Sequence, residues 1–130
     1  MRMVTPAEIT LVALGGACGA TLRFLVGRLT DIFLASAKFP FATLSINILG
    51  CFVIGMVAEI SARGDLSSGT RLLIVTGILG GFTTFSAFGL ETITLLRAGH
   101  VGLALSYIAT SVIGGCAATY IGINLITPRS

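Results

Sequence analysis

The residues best suited to chemistry lie in the third apolar stretch of the chain. Two adjacent glycines and two adjacent threonines occupy its middle, in the sequence Gly80-Gly81-Phe82-Thr83-Thr84-Phe85-Ser86-Ala87-Phe88. Glycine loosens a helix, and backbone groups freed inside a membrane need other partners because no water is present. Exposed carbonyl groups can bind a cation, as they do in selectivity filters. We therefore predict a broken helix here; the alternative is a kink whose threonine side chains satisfy the backbone.

Two aromatic rings follow this predicted break. Phe85 and Phe88 are three residues apart, so on a helix they share a face. The edge of an aromatic ring is electropositive, and edges turned toward a pore would attract a small anion. Glu91 lies one turn further on, where it could line an entrance, take part in gating or extend to the surface. For the two rings the alternative is ordinary packing.

Polar side chains inside apolar stretches are costly in lipid, and this makes them candidates for function. The amide of Asn47, in the second stretch, could bind an anion, a broken helix or a neighbouring helix. In the fourth stretch, small and polar residues recur at helical spacing and form either a hydrophilic track or a packing seam: Tyr107, Thr110, Ser111, Gly114, Gly115, Ala118 and Thr119. Glycines four residues apart, Gly15 with Gly19 and Gly77 with Gly81, fit close helix packing.

These residues need a scaffold that spans a membrane. The 130 residues are 55% hydrophobic and 10% charged, whereas a soluble domain carries about 25% charged residues. Four stretches can cross about 30 Å of hydrocarbon, at about 7–29, 41–60, 71–96 and 101–126. The first superficially resembles a signal peptide, but its apolar pattern continues past any cleavage point, so we expect a span. We predict an all-α membrane protein, with residues 1–130 forming a single transmembrane domain.

Several functional classes are disfavoured by the same composition. The eight basic residues are spread singly near the ends of the stretches, whereas nucleic-acid binding requires a clustered basic face. The three cysteines lack CxxC spacing, so they indicate neither a disulfide framework nor a metal site. His100 stands alone in a predicted loop, and no nucleophile or general-base constellation is evident. We expect no enzymatic activity.

The distribution of positive charge bears on orientation. Four spans place both termini on one side, and Lys and Arg in short loops set which side is cytoplasmic. The side of the termini carries Arg2, Arg63, Arg71 and Arg129, and the other side carries Arg28, Lys38 and Arg97, with Arg23 near that end of the first span. A chain with so little bias can insert both ways and form an antiparallel dimer. A single fixed topology with a weak signal is the alternative.

Three motifs together resemble the Fluc (CrcB-type) fluoride-channel family. The run GGACGATLRF at Gly15–Phe24 resembles the first-helix signature of the family, GGxxGAxxR followed by an aromatic residue. The run TLSINILG at Thr43–Gly50 resembles TLxxNxxG in the second helix. The run GILGGFTTFSAF at Gly77–Phe88, followed by Glu91, resembles GxxGGxTTFSTFxxE in the third. The resemblance extends over essentially the whole chain.

The resemblance implies an antiparallel, dual-topology homodimer with two fluoride pores and a central structural sodium ion. Backbone carbonyls of Gly80 and Thr83 would hold the sodium. The pore residues would be Asn47, Phe85, Phe88, Ser86, Tyr107 and Ser111, with Arg23 near the aqueous vestibule and Glu91 near a pore end. Ala87 departs from the family, which usually has Thr there, and this removes one hydroxyl from the proposed track.

The function that the resemblance implies is passive, selective fluoride efflux across the bacterial inner membrane. One alternative is a proton-coupled exporter of the small multidrug-resistance type. Such an exporter needs a central carboxylate in its first helix, whereas Glu8 lies at the start of that helix and Trp is absent. The other alternative is a structural membrane subunit, which would leave Asn47 and the glycine-threonine motif without a role.

Overall fold

The computed structural model describes residues 3–127, which fold almost entirely into helices. The elements are α1 (Pro6–Leu34), α2 (Phe41–Ala62), α3 (Ser68–Arg71), a π-helical segment (Leu72–Leu79), α4 (Gly80–Phe82), α5 (Phe85–Arg97) and α6 (Val101–Ile126). They make up four apolar stretches long enough to cross a membrane, with Ser68–Arg97 as the third. The prediction of an all-helical chain with four spans is confirmed. Arg2 and Arg129, two of the basic residues that bear on orientation, lie outside the described residues.

The first helix is longer than the span that the sequence predicts. It begins after Thr5, whose side chain and main chain form a reciprocal capping box with Glu8, and Pro6 takes the first helical position. It continues to Leu34, five residues beyond the predicted end at 29. Hydropathy falls over this last part because it carries Arg28 and Asp31, which lie 4.0 Å apart and are exposed. An i,i+3 pair of opposite charge is compatible with a helix, so the helix extends beyond the apolar stretch.

The glycine pairs bring α1 into backbone contact with the third span. A Cβ atom on Gly15 would lie 2.6 Å from the carbonyl oxygen of Leu73 and 2.8 Å from Cα of Gly77. Likewise, a Cβ on Gly81 would lie 2.5 Å from the carbonyl oxygen of Gly16. Small residues allow such close approach, and in lipid the resulting dispersion attraction between the backbones holds helices together. The two glycine motifs predicted as packing seams therefore pack against each other.

Replacing Gly15 with Val is expected to destabilise the folded protein by about 1–3 kcal/mol or more, because the backbone of the third span leaves no room for the new side chain. Gly27 lies in the same helix, and a Cβ there would meet nothing within 4 Å. Gly27→Val is therefore the matched control. Thermal unfolding of the purified variants in detergent measures both. Equal midpoints for the two variants would contradict the close contact.

The third span is interrupted between α4 and α5. Thr83 (φ −78°, ψ 157°) and Thr84 (φ −150°, ψ 119°) have extended backbone angles. The Thr83 N–H still donates to the carbonyl of Leu79 at 3.0 Å, and its hydroxyl donates to the same oxygen at 2.9 Å. Thr84 begins the next helix, because its hydroxyl accepts a hydrogen bond from the N–H of Ala87 at 3.3 Å. The threonine hydroxyls thus satisfy part of the backbone at this point.

Candidate functional site

The side chain of Asn47 pairs with the backbone where the third span is interrupted. Its Nδ2 donates to the carbonyl oxygen of Thr84 at 3.0 Å, and the N–H of Thr84 donates to Oδ1 of Asn47 at 2.8 Å. Both backbone groups of an extended residue are thereby satisfied from α2, as a membrane interior requires. The sequence left three partners open for Asn47, and the structure pairs its amide with the backbone of Thr84 in the third span. Its Nδ2 has a second hydrogen that this pairing does not use.

Arg23 reaches the same interruption from α1. Its Nη1 lies 3.4 Å from the carbonyl oxygen of Thr83, a long hydrogen bond. Gly80 lies close by in the chain, and its Cα face is open, since a Cβ there would meet no atom closer than 3.8 Å. No cluster of three His, Cys, Asp or Glu side chains suited to a metal occurs in residues 3–127. A cation bound here would therefore depend on backbone oxygens.

A cavity of about 420 Å³ lies beside the interruption, between α2, the third span and α6. Several of the predicted site residues line it together, namely Asn47, Gly80, Thr83, Phe85, Phe88 and Ser111. Ser86 is not among them. It is exposed, and its hydroxyl oxygen lies 3.4 Å from the hydroxyl oxygen of Thr84. Neither an acidic nor a basic side chain is among the lining residues. The cavity thus combines apolar walls with neutral polar groups.

The hydroxyl of Ser111 is the least satisfied polar group in this cavity. Its oxygen is buried and has no hydrogen-bond partner in the described part of the chain. Ser111 lies on α6 and lines the same cavity as Asn47 and Phe88. A buried hydroxyl without a partner costs free energy, and a small ligand that accepts a hydrogen bond would remove this cost. Amide and hydroxyl donors in an apolar cavity therefore suit a small anion.

Glu91 belongs to a buried network that the motifs did not predict. The hydroxyl of Tyr107 donates to Oε2 of Glu91 at 2.6 Å, and the hydroxyl of Thr43 donates to Oε1 at 2.7 Å. Tyr107 is 0% exposed and Thr43 is 6% exposed. The carboxylate therefore points into the helix bundle instead of extending to the surface. Thr43 stands in the second-helix motif, but nothing in the sequence paired it with a residue 48 positions away.

Removing the Tyr107 hydroxyl is expected to destabilise the protein by about 1–3 kcal/mol, the usual effect of losing a hydrogen bond to a charged group. The variant Tyr107→Phe keeps the ring and its packing, so the hydroxyl alone is tested. Tyr120→Phe is the control, since Tyr120 is 69% exposed. Thermal unfolding in detergent measures both. A Tyr107→Phe midpoint equal to that of Tyr120→Phe would show that the network contributes nothing.

The aromatic residues near the interruption form a cluster of tilted and edge-on rings. The ring centroids of Phe85 and Phe88 are 5.5 Å apart, and those of Phe88 and Tyr107 are 5.1 Å apart. Phe39 packs edge-on against the other side of Tyr107 at 5.6 Å. Phe88 is partly buried, whereas Phe85 is 84% exposed on the surface of the single chain. The rings of Phe85 and Phe88 share a face, as predicted. No residue in the described part of the chain buries the ring of Phe85.

Comparison with known proteins places this site in a family. Residues 10–123 match the family described as "CrcB-like protein, Camphor Resistance (CrcB)". A protein of Methylobacillus flagellatus named "Fluoride-specific ion channel FluC" is 46% identical over 92% of this chain and 94% of its own. Proteins with the same name from Rhizobium johnstonii and Thermus thermophilus are 50% identical over 92% and 95%, and 46% identical over 88% and 91%, respectively.

These matches confirm the resemblance that the three motifs indicate. They cover all four apolar stretches, including Asn47, the interrupted third span and the ring pair. The chain belongs to the CrcB family of membrane proteins.

Proposed function

We propose that this protein is a fluoride-selective channel that allows passive fluoride efflux from the cell. The observation that carries the proposal is the neutral cavity beside Thr84. There the Asn47 amide, the Ser111 hydroxyl and the rings of Phe85 and Phe88 meet without an acidic side chain. The names of its relatives support fluoride as the ion. No feature of the structure favours the exporter alternative, whose central carboxylate has no counterpart in this cavity.

Passive flow is sufficient for the proposed task. Fluoride is small and strongly hydrated, so a pore must replace the lost water with hydrogen-bond donors and electropositive ring edges. An inside-negative potential drives an anion outward by about 2.3 kcal/mol per charge per 100 mV. Neither ATP nor a second coupling site is required. This proposal places the protein in the bacterial inner membrane as a channel and not an enzyme.

The complete pore, in this proposal, is formed by two copies in opposite orientations. The exposed ring of Phe85 and the open face of Gly80 border the same cavity. A second copy that covers them would complete the lining of this half-open site. The near balance of positive charge between the two sides of the membrane is compatible with both orientations. Two-fold symmetry within the membrane plane would then give two equivalent pores.

A sodium ion at the centre of this dimer is a further part of the proposal. The carbonyls of Gly80 and Thr83 from both copies would hold it, and its charge would stabilise four oxygens brought together by the two interrupted spans. The Gly80 face is open enough for such an approach. The guanidinium of Arg23 lies 3.4 Å from the Thr83 oxygen, so sodium would share this oxygen with it. Sodium would act as a structural ion and would not move with fluoride.

The direct test is fluoride efflux from liposomes that contain only the purified chain. We expect rapid fluoride efflux once valinomycin lets potassium leave with the anion, so that no opposing membrane potential builds up. Efflux should not depend on a proton gradient, and chloride should show no comparable efflux. Efflux only in the presence of a proton gradient would support the exporter. No efflux under either condition would support a structural subunit.

A further inference from the structure

We infer that fluoride reaches the interrupted span through a cleft between α2 and the third span, and that Arg71 concentrates the anion at the outer end of this cleft. The inference rests on the proposed function, because it names the access path of the same ion. None of the three motifs contains Arg71, and in the sequence its charge bears only on membrane orientation. We call this path the access cleft, lined by Arg71, Ser61, Val75 and Ile54 between the surface and the cavity at the interruption.

Three adjoining cavities make up the access cleft, since neighbouring cavities share lining residues. The outermost, of about 640 Å³, is lined by Ser61, Arg71 and Val75 among others. The middle one, of about 320 Å³, is lined by the same three residues and by Ile54. The innermost, of about 420 Å³, is lined by Val75, Ile54 and the site residues. The three cavities therefore lie in a row from exposed Arg71 to the neutral cavity, and in our inference the ion follows this row.

The π-helical geometry of Leu72–Leu79 aligns Arg71 with this path. A π-helix has more residues per turn than the 3.6 of an α-helix, because its hydrogen bonds join residues five apart, and here the N–H of Gly80 is shared between the carbonyls of Val75 and Gly77. Over the nine residues from Arg71 to Gly80, α-helical geometry would place the two about half a turn apart. The wider π-helical turns reduce this offset, and Arg71 lines the outer and middle cavities while Gly80 lines the inner one.

The charges that face the outer end of the cleft are Arg71 and Glu8. Glu8 is held by the N–H of Thr5 at 2.8 Å and the Thr5 hydroxyl at 3.0 Å, so its carboxylate is anchored at the start of α1. Further in, the lining of the middle and inner cavities contains no other charged side chain. A cleft with low-dielectric walls focuses the field of the charge at its end. Among the lining residues, Arg71 is therefore the charge that attracts an anion into the path, and Glu8 opposes it; Arg23 adds positive charge at the inner end, 3.4 Å from the Thr83 carbonyl.

The test compares the fluoride dependence of flux at two ionic strengths. At about 10 mM ionic strength, where screening extends over about 30 Å, we expect Arg71→Gln to raise the half-saturating fluoride concentration by about three- to tenfold. The plateau flux should be unchanged, because the cavity at the interruption is intact. At about 1 M, where screening acts within about 3 Å, the difference should nearly vanish. Glu8→Gln should shift the half-saturating concentration in the opposite direction.

Two further variants separate charge from structure. Ser68 also lines the outer cavity, so Ser68→Arg in the Arg71→Gln background should restore the wild-type value. Arg28→Gln removes an equal charge from an exposed residue outside the cleft and should change nothing. If Arg71→Gln cannot be purified, Ser68→Arg alone should lower the half-saturating concentration.

The two proposals fail in distinguishable ways. Wild-type protein that passes no fluoride would overturn the proposed function and this inference together. Wild-type flux with the same half-saturating concentration in the Arg71, Glu8 and Ser68 variants would overturn the inference alone. A shift that ionic strength does not alter, or that Ser68→Arg does not reverse, would also overturn it, because the effect would then be structural.

Discussion

Asn47→Ala is expected to lower fluoride flux by at least about tenfold, which corresponds to about 1.4 kcal/mol. The variant leaves the N–H and the carbonyl of Thr84 without the partners that Asn47 supplies at 2.8 and 3.0 Å. Unsatisfied backbone groups in a membrane cost several kcal/mol, so the extended segment must rearrange or admit water. Either change alters the cavity that Asn47 and Thr84 line together. The measurement is flux from liposomes, with the amount of folded protein determined by size-exclusion chromatography.

The control for Asn47 is another asparagine whose amide serves only its own helix. Nδ2 of Asn124 donates to the carbonyl of Tyr120 at 2.8 Å on the exposed side of α6. Asn124→Ala should retain flux close to the wild-type value. If Asn47→Ala retained wild-type flux and stability, the paired hydrogen bonds to Thr84 would have no functional role.

Phe85→Ile and Phe88→Ile are each expected to lower fluoride flux by at least about tenfold, while the protein still folds and assembles. Isoleucine preserves an apolar side chain but lacks the electropositive ring edge that would stabilise a dehydrated anion. Phe88 also loses its contact with Tyr107, whose centroid lies 5.1 Å away, so its variant should be somewhat less stable. Phe85 is 84% exposed on the single chain, so its substitution should leave the fold of one chain unchanged.

The matched control for Phe85 is an equally exposed ring away from the site. Phe33 in α1 is 80% exposed, and Phe33→Ile should leave flux unchanged. Chromatography and flux must be measured on the same preparations, because loss of assembly would also stop flux. Normal flux in both Phe85→Ile and Phe88→Ile would exclude the rings as contributors to conduction.

Much of the scaffold could be predicted from the sequence because lipid imposes simple requirements. A span needs about 20 apolar residues, and this pattern correctly predicted both bounds of the fourth helix, Val101–Ile126. The glycine motifs also indicated close helix packing, since small residues let backbones approach, but they did not indicate that α1 and the third span are the helices in contact. The end of α1 was predicted less well, because a helix can continue through charged residues after its apolar stretch has ended.

The sequence indicated which residues belong to the candidate site, but not which of them form hydrogen bonds with one another. Asn47 stood out because an amide in lipid needs a partner, but that its partner is the backbone of Thr84 depends on the relative position of two helices. The same holds for Thr43, Glu91 and Tyr107, which meet across three helices. Sequence spacing describes one helix at a time, so contacts between helices lie beyond it.

The sequence did not indicate the π-helical segment, which changes the position of Arg71 relative to Gly80. Helical spacing was counted at 3.6 residues per turn, and on that spacing Arg71 and Gly80 belong to different faces. The π-helical segment Leu72–Leu79 has wider turns, which reduce this offset between the two residues. Arg71 thereby changes from a residue that bears only on orientation to one that lines the access cleft. Nothing in the composition of this stretch indicates such a change.

The most direct test of the proposed channel is the reversal potential of currents through the purified chain in a planar bilayer. A tenfold fluoride gradient should give a reversal potential of about 59 mV in magnitude, with the sign expected for an anion. A tenfold chloride gradient at equal fluoride should leave the reversal potential near zero, and a pH gradient should not move it. A reversal potential that followed the pH gradient, or that stayed near zero in a fluoride gradient, would contradict passive and selective fluoride conduction.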